Sequence, residues 1–386
     1  AQALHAHRKG DRAAAADGYR AVLARDPRCL DAWMNLAAVA VLAGQSSDAT
    51  AAFERALALA ADDARVARDA GIGLAALGQL DPARLALDRA LALDPALIGA
   101  RLVASRVCAQ LGDDAAALAH ALAAVRDAPH DASTHLELYR VIFDDRALDP
   151  AIEAATTAAR LDPGSTLARY FLAGARGWRD GAPPPLELPD PLRDALALVP
   201  EARDAGTRAF ASKRATLAHA LAQATRPGLV AEFGVRHGVS TRVLASEGGV
   251  VHAFDRFEGL PEAWAGRAPG AFSTAGEVPG LPAGVVVHTG WFADTVPAFA
   301  ATLRAPLRLL HVDSDLYESA RTVLTHLCPW IAPGTVLVFD EYLGHTTWRD
   351  DEYRAFTEAA QAYGWTYEYL ALCWVTGQAS VRIVAT

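Results

Sequence analysis

The sequence predicts two folds in series: an N-terminal helical repeat array, followed by an α/β domain built on a mostly parallel sheet. Three observations predict it. Prolines, glycines and alanines recur every 34 residues through the first half. Short apolar runs alternate with amphipathic segments after residue 228, and the five prolines of GAPPPLELPDP (181–191) forbid regular helix between the halves. A chain of 386 residues has room for two or three domains.

The repeat comes first in the chain. Pro27, Pro95, Pro129 and Pro163 share one register, as do Gly10, Gly44, Gly78 and Gly112, and Ala15, Ala49, Ala83, Ala117 and Ala151. A glycine can end the first helix of a pair, an alanine lets two helices approach closely, and a proline closes the second helix. These features resemble the tetratricopeptide repeat, whose unit is about 34 residues. The best copy spans 30–63, with Trp33, Leu36, Ala49, Phe53 and Ala56 at packing positions. The other copies lack the Trp, and Ala37 stands where a small Gly is usual. The resemblance covers about 1–176. The expected division is a repeat domain at 1–180, a linker and capping helix at 181–206, and the α/β domain at 207–386.

Stacked repeats form a superhelix with a concave groove. Arg65, Arg68, Arg106 and Arg140 fall on first helices and would face it. They read either as a solvated face or as a docking site for an acidic or C-terminal carboxylate partner. Homodimerisation through the array is a further expected role.

In the second half, 229–235, 250–255, 285–290, 307–313 and 335–342 read as strands, with YEYLALCWVTG and ASVRIVAT as a closing hairpin. Segments 240–248, 318–331 and 351–364 read as helices. Seven buried strands flanked by helices predict a parallel sheet, with one strand of the hairpin antiparallel.

Composition excludes several functions. Hydrophobic residues make up 52% and charged residues 21%, a soluble globular balance. A net charge of −9 argues against a nucleic-acid surface, and no apolar run is long enough to span a membrane. Cys29, Cys108, Cys328 and Cys373 are scattered, as small core residues of a reducing compartment would be. The polar, helical start predicts no signal peptide, and the cytoplasm is the expected location. The chain opens at Ala1 without Met, which leaves room for a trimmed leader.

Ligands in open α/β sheets bind at the carboxyl ends of strands. AEFGVRHGVST places Glu232, Gly234 and Gly238 at the first strand-to-helix turn, in a Gly-x-x-x-Gly spacing unlike that of NAD enzymes. Asp255 ends the next strand, where an acid can bind a ribose diol or simply cap a helix. Together they favour an adenosyl ligand. Asp313 and Asp315 follow one later strand, and Asp340 and Glu341 end another. Four carboxylates there would repel unless a cation or protons compensated, and their oxygens suit Mg²⁺. His237, His252, His288, His311 and His345 are individually uninformative.

The strings GVRHGVST, FDRFEGLPE, TGWFADTVP, HVDSDLYESARTVL, PGTVLVFDEY and WRDDEYRAF, in that order, resemble the macrocin O-methyltransferase (TylF) family over about 229–358. The resemblance implies a Rossmann-like class I methyltransferase domain that uses S-adenosyl-L-methionine (SAM) and Mg²⁺ (or Mn²⁺) to methylate a hydroxyl, often on a natural-product sugar. It places Glu232, Gly234, Gly238, Asp255 and Trp291 on the cofactor site. It places Asp313 (or Asp315), Asp340 and Glu341 on the metal, where the family usually has Asp-Asp rather than Asp340-Glu341. Asp315 or Asp313 would be the base, with His345 a weaker candidate. The competing expectations are a metal-free N- or carboxyl-methyltransferase acting on a peptide or protein, and a repeat scaffold with a non-catalytic SAM-binding domain.

Overall fold

The computed structural model describes residues 2–386. Its first half is a chain of antiparallel helices: α1 (Gln2–Arg8), α2 (Arg12–Arg25), α3 (Leu30–Ala43), α4 (Ser46–Leu59), α5 (Ala64–Ala76), α6 (Leu80–Leu93), α7 (Ile98–Leu111), α8 (Asp114–Asp127), α9 (Ala132–Ile142), α10 (Asp149–Leu161) and α11 (Thr166–Asp180). The period has the expected physical causes. Ala15, Ala49, Ala83, Ala117 and Ala151 are all buried, so helices close over a methyl group. Gly44 and Gly112 end α3 and α7 in the left-handed conformation, and Pro27, Pro95, Pro129 and Pro163 follow the ends of α2, α6, α8 and α10. Asp63, Asp113 and Asp131 cap α5, α8 and α9 with their carboxylates. The first half is a tetratricopeptide-type array.

The remaining elements are α12 (Asp190–Leu196), α13 (Leu198–Asp204), β1 (Arg208–Ala209), α14 (Lys213–Gln223), β2 (Val230–Phe233), α15 (Val239–Leu244), β3 (Val251–Asp255), β4 (Val285–Thr289), α16 (Phe292–Thr302), β5 (Leu309–Val312), α17 (Tyr317–Leu327), β6 (Val336–Phe339), α18 (Glu352–Tyr363), β7 (Thr366–Cys373) and β8 (Gln378–Ala385). The sheet has eight strands in the order β1-β7-β8-β6-β5-β2-β3-β4. Only β8 runs antiparallel to its neighbours. The expected count of seven is short by β1, a two-residue edge strand too brief to leave a sequence pattern. Helix α16 also went unread, because Pro297 interrupts its periodicity.

The chain forms two compact units. One is 1–130 with Phe257–Leu260 and Gly270–Pro279; the other is Asp131–Arg256, Pro261–Pro269 and Gly280–Thr386. Compactness thus divides the chain at 130, whereas the sequence pattern placed the end of the repeats at 180. In the second unit Tyr139 of α9 stacks on Phe171 of α11, and the Trp374 indole after β7 donates to the Tyr139 hydroxyl at 3.3 Å. Gly174 of α11 lies so close to the Trp374 ring that a Cβ there would meet it at 2.4 Å. The last repeat helices therefore share the sheet's core.

Within the first unit, the segment after β3 lies against the repeats. Ser47 donates its backbone N–H and its hydroxyl to Glu277, at 3.0 and 3.1 Å. A Cβ on Gly44 (φ +72°) would fall 1.9 Å from the Ser273 carbonyl oxygen, whereas one on Gly10 (φ +79°) would meet nothing. Gly10→Ala carries only the left-handed backbone penalty, about 1 kcal/mol. Gly44→Ala adds the steric clash and is expected to destabilise the chain by about 2 kcal/mol or more in chemical denaturation. Equal destabilisation by the two variants would show that the 273–277 segment does not rest on α3.

Candidate functional site

Strand register builds the site. Phe233, Val312 and Phe339 pair across β2, β5 and β6, so Gly234, Asp313 and Asp340 leave three neighbouring strands at one level. The ladder continues past the strand ends: Asp313 N–H donates to Phe233 O at 2.8 Å, and Asp340 N–H to Val312 O at 2.9 Å. Chain order also reverses at β2, which lies between β5 and β3. Such a switch point is where open α/β sheets bind ligands.

The glycine turn serves packing as well as any ligand. Gly234 has φ +102°, and a Cβ there would sit 1.8 Å from the Asp313 carbonyl oxygen. The neighbouring strand end by itself requires a bare backbone at this position. Gly238 (φ +71°) starts α15. Asp255, at the end of β3, accepts the Val235 and Arg236 N–H groups at 2.8 and 2.7 Å and so ties the turn to its own strand. Glu232 is buried beneath the turn, bonded to the Thr241 hydroxyl and to His311 Nδ1. It is a support and does not face outward. Trp291, half-exposed after β4, carries the Arg256 guanidinium 3.9 Å from its ring centroid.

The acidic cluster differs from expectation. Asp313 and Asp340 do converge, but the Lys213 ammonium stands between them, 2.6 Å from Asp313 Oδ2 and 2.9 Å from Asp340 Oδ2. Lys213 opens α14, and no motif in the sequence singles it out. Among the described residues, the group whose ligand atoms lie close enough for one ion is His311, Asp313 and Asp340. The structure does not bring Glu341 into it. Its carboxylate faces His345 Nδ1 at 3.7 Å.

Two further carboxylates hold the loops and were also missed. Glu352, buried at the start of α18, accepts the N–H groups of Ser314 and Asp315 on one oxygen and of Glu341 on the other. Asp351 accepts His345 Nε2 at 3.0 Å, the Trp264 indole at 3.0 Å and the Thr347 hydroxyl at 2.6 Å. Both lie in WRDDEYRAF, where a run of acids looks like ordinary helix-start chemistry.

Burial dominates the ionisation of the site. It lifts Asp315 to about 8, helped by Asp313 and Glu352, and lifts Glu341 to about 10, helped by Asp340. Glu352 rises to about 8 although backbone N–H groups oppose the shift. Burial and Asp340 push Asp313 to about 6 against the pull of Lys213. Burial would raise Asp340 too, but Lys213 and His311 hold it below the usual carboxylate range. Burial opposes the His311 imidazolium, yet the Asp340 and Glu232 carboxylates raise it to about 9. Nε2 of His311 stands 3.9 Å from Asp340 Oδ1, so Asp340 acts through space rather than by a hydrogen bond.

Raised carboxyls hold protons that the unfolded chain has already lost, so they lower stability as pH rises toward their folded pKa values. Raised His311 acts in the same direction between its ordinary value and about 9. His237, driven down to about 4 by burial and Arg236, acts oppositely but only below neutral pH. The melting temperature is therefore expected to fall from pH 7 to pH 9, each retained proton removing about 1.4 kcal/mol per pH unit. Glu352→Gln should flatten that slope in scanning calorimetry. A melting temperature constant or rising over this interval would show that these carboxyls are ionised in the fold.

Residues 231–342 match the family model of a methyltransferase domain. Two curated relatives align over shorter stretches. Demethyldecarbamoylnovobiocin O-methyltransferase of Streptomyces niveus is 41% identical over 68 residues, 17% of this chain and 25% of that protein. The tetracenomycin 4'-O-methyltransferase of Streptomyces olivaceus that acts on an 8-demethyl-8-(2,3-dimethoxy-alpha-L-rhamnosyl) derivative is 43% identical over 53 residues, 14% of this chain and 19% of that protein. The match thus spans a quarter or less of either relative. Among solved structures, the O-methyltransferase NovP aligns with TM-score 0.36 and 20% identity over 45% of this chain and 79% of that one. MamA aligns with TM-score 0.39 and 19% identity over 42% and 88%. The fold itself rests on the helices and strands described above. The matching model is of the broad domain and does not distinguish the macrocin group within it. Behind its tetratricopeptide-type array, the chain carries a methyltransferase domain.

Proposed function

We propose that the chain is a SAM-dependent O-methyltransferase acting on a hydroxyl of a natural product or sugar-containing metabolite. The observation that carries this is the meeting, at the switch point of the sheet, of the Gly234–Gly238 turn and Asp255 with a set of proton-exchanging carboxyls. The residues fit an adenosyl group: Asp255 holds the turn from a strand end, and the partly exposed Trp291 offers an aromatic ring against which an adenine can pack. When bound, SAM supplies a methyl on a sulfonium, transferred in line to the acceptor oxygen.

The chain's own residues then manage the proton. Asp313 is tied to Lys213, whereas the Asp315 carboxyl makes no hydrogen bond to another side chain among the described residues. With its pKa at about 8, Asp315 is suited to take the hydroxyl proton as the O–CH₃ bond forms. His345, oriented by Asp351, is the second candidate. The expected Mg²⁺ set does not fit these residues as a three-carboxylate site, because Glu341 lies outside the group that could share one ion and an ammonium lies between the other two. The repeats are proposed to dock the acceptor or a partner, with exposed Arg65 and Arg106 supplying positive charge.

Calorimetry with S-adenosylhomocysteine tests the cofactor site. Wild type is expected to bind, and Asp255→Ala to lose about 1–3 kcal/mol of affinity. Gly234→Val would collide with the Asp313 backbone, so it reports on the turn rather than on ligand space. Absence of binding by a folded wild type would sink the reading. Once an acceptor is in hand, kcat/KM should climb with pH through an inflection near 8 and level off above it, and Asp315→Asn should lower kcat by about 10²–10⁴. If His345→Ala abolishes that pH dependence while Asp315→Asn preserves it, the base is His345.

A further inference from the structure

We propose that Lys213 is the built-in cation of this site, holding Asp313 and Asp340 where a divalent ion would otherwise stand, so that methyl transfer here proceeds without metal. The inference rests on the methyltransferase reading and sharpens it.

Geometry carries it. The strand ladder fixes the backbones of Asp313 and Asp340 side by side, which sets two carboxylates against each other. Their facing oxygens, Oδ2 of each, are both taken by Lys213 Nζ. The other oxygen of Asp340 accepts Gln378 Nε2 at 3.0 Å, and the same amide reaches the Asp340 carbonyl at 3.2 Å. Mg²⁺ asks for a near-octahedral set of oxygens. Here the candidate group offers two carboxylates and an imidazole whose Nδ1 is bound to Glu232, and the next acid in sequence, Glu341, faces His345.

The place of Lys213 in its helix is an independent sign. It occupies the first turn of α14, after the Ser212 cap, where the helix dipole favours acids and disfavours cations. Two carboxylates at hydrogen-bond distance offset that penalty; a lysine at this position without them would be poorly placed.

The ammonium can also do a metal's work. It carries three N–H donors, of which two go to Asp313 and Asp340. The third donor is taken by neither carboxylate and remains for the acceptor oxygen. There it would orient the hydroxyl and stabilise the negative charge that develops as Asp315 removes the proton.

Titration calorimetry and electron paramagnetic resonance with Mn²⁺ alone test the proposal, with S-adenosylhomocysteine binding in EDTA as a separate arm. Wild type is expected to show no Mn²⁺ site tighter than about 1 mM, and to bind S-adenosylhomocysteine equally with and without EDTA. Lys213→Met leaves the two carboxylates facing each other and is expected to bind Mn²⁺ at least about tenfold more tightly than wild type, whereas Lys213→Arg should not. Stoichiometric Mn²⁺ binding by wild type at about 10 µM or below would overturn the proposal, as would a folded Lys213→Met with no gain. If Lys213→Met does not fold, the wild-type and Lys213→Arg measurements still decide. Failure to bind S-adenosylhomocysteine would remove the methyltransferase reading while leaving the Mn²⁺ result to stand or fall by itself.

Discussion

Two carboxylates forced together by strand register are the constraint on which the site depends. Parallel pairing of β5 with β6 puts Asp313 beside Asp340, and pairing of β5 with β2 puts Gly234 against the Asp313 carbonyl. Neither position can be changed without moving a buried strand. Like charges this close must be compensated by protons or cations. The chain uses both: an ammonium between the pair, an imidazolium behind it, and retained protons on the acids around it.

The compensation explains which parts were legible in the sequence. Strand ends and their acids were readable, because β5 and β6 are short apolar runs that stop at Asp313 and Asp340. The partner that neutralises them was not. Lys213 lies 100 positions earlier in a helix, and no spacing rule connects a helix start to a strand end across that distance. Glu341 illustrates the converse: the resemblance puts it on the metal beside Asp340, yet its carboxylate lies outside the group of ligand atoms close enough for one ion. Its N–H is used by Glu352 while its carboxylate turns to His345.

The repeats show the same division. A period of 34 residues survives in sequence because every unit repeats one packing problem, solved by Ala at the closest helix approach and Gly or Pro at the ends. The period says nothing about where the array stops being separate. Helices α9 to α11 keep the repeat pattern, yet Tyr139, Phe171 and Trp178 are buried in the core of the sheet-bearing unit. Equally, the family string FDRFEGLPE divides: Phe257–Leu260 packs in the repeat unit, while Asp255 and Pro261 belong to the other. Motif continuity and structural continuity are different properties, and only tertiary packing decides the second.

Asp315 brings these points to one residue. It is a non-glycine at φ +61°, buried, with its carboxyl in a field of other acids. A left-handed backbone at such a residue costs on the order of 1–3 kcal/mol and persists only where surrounding contacts over-determine it. Glu352 supplies those contacts by accepting the N–H groups of Ser314 and Asp315 together, and it is in turn tied to β6 through the Glu341 N–H. One buried carboxyl on α18 thus sets the conformation of both strand-end loops. An apolar side chain at 352 would leave three N–H groups without acceptors, and the loop would relax out of its strained turn. Glu352 sustains the strain at Asp315, and in the proposed mechanism that strain is what aims the proton acceptor.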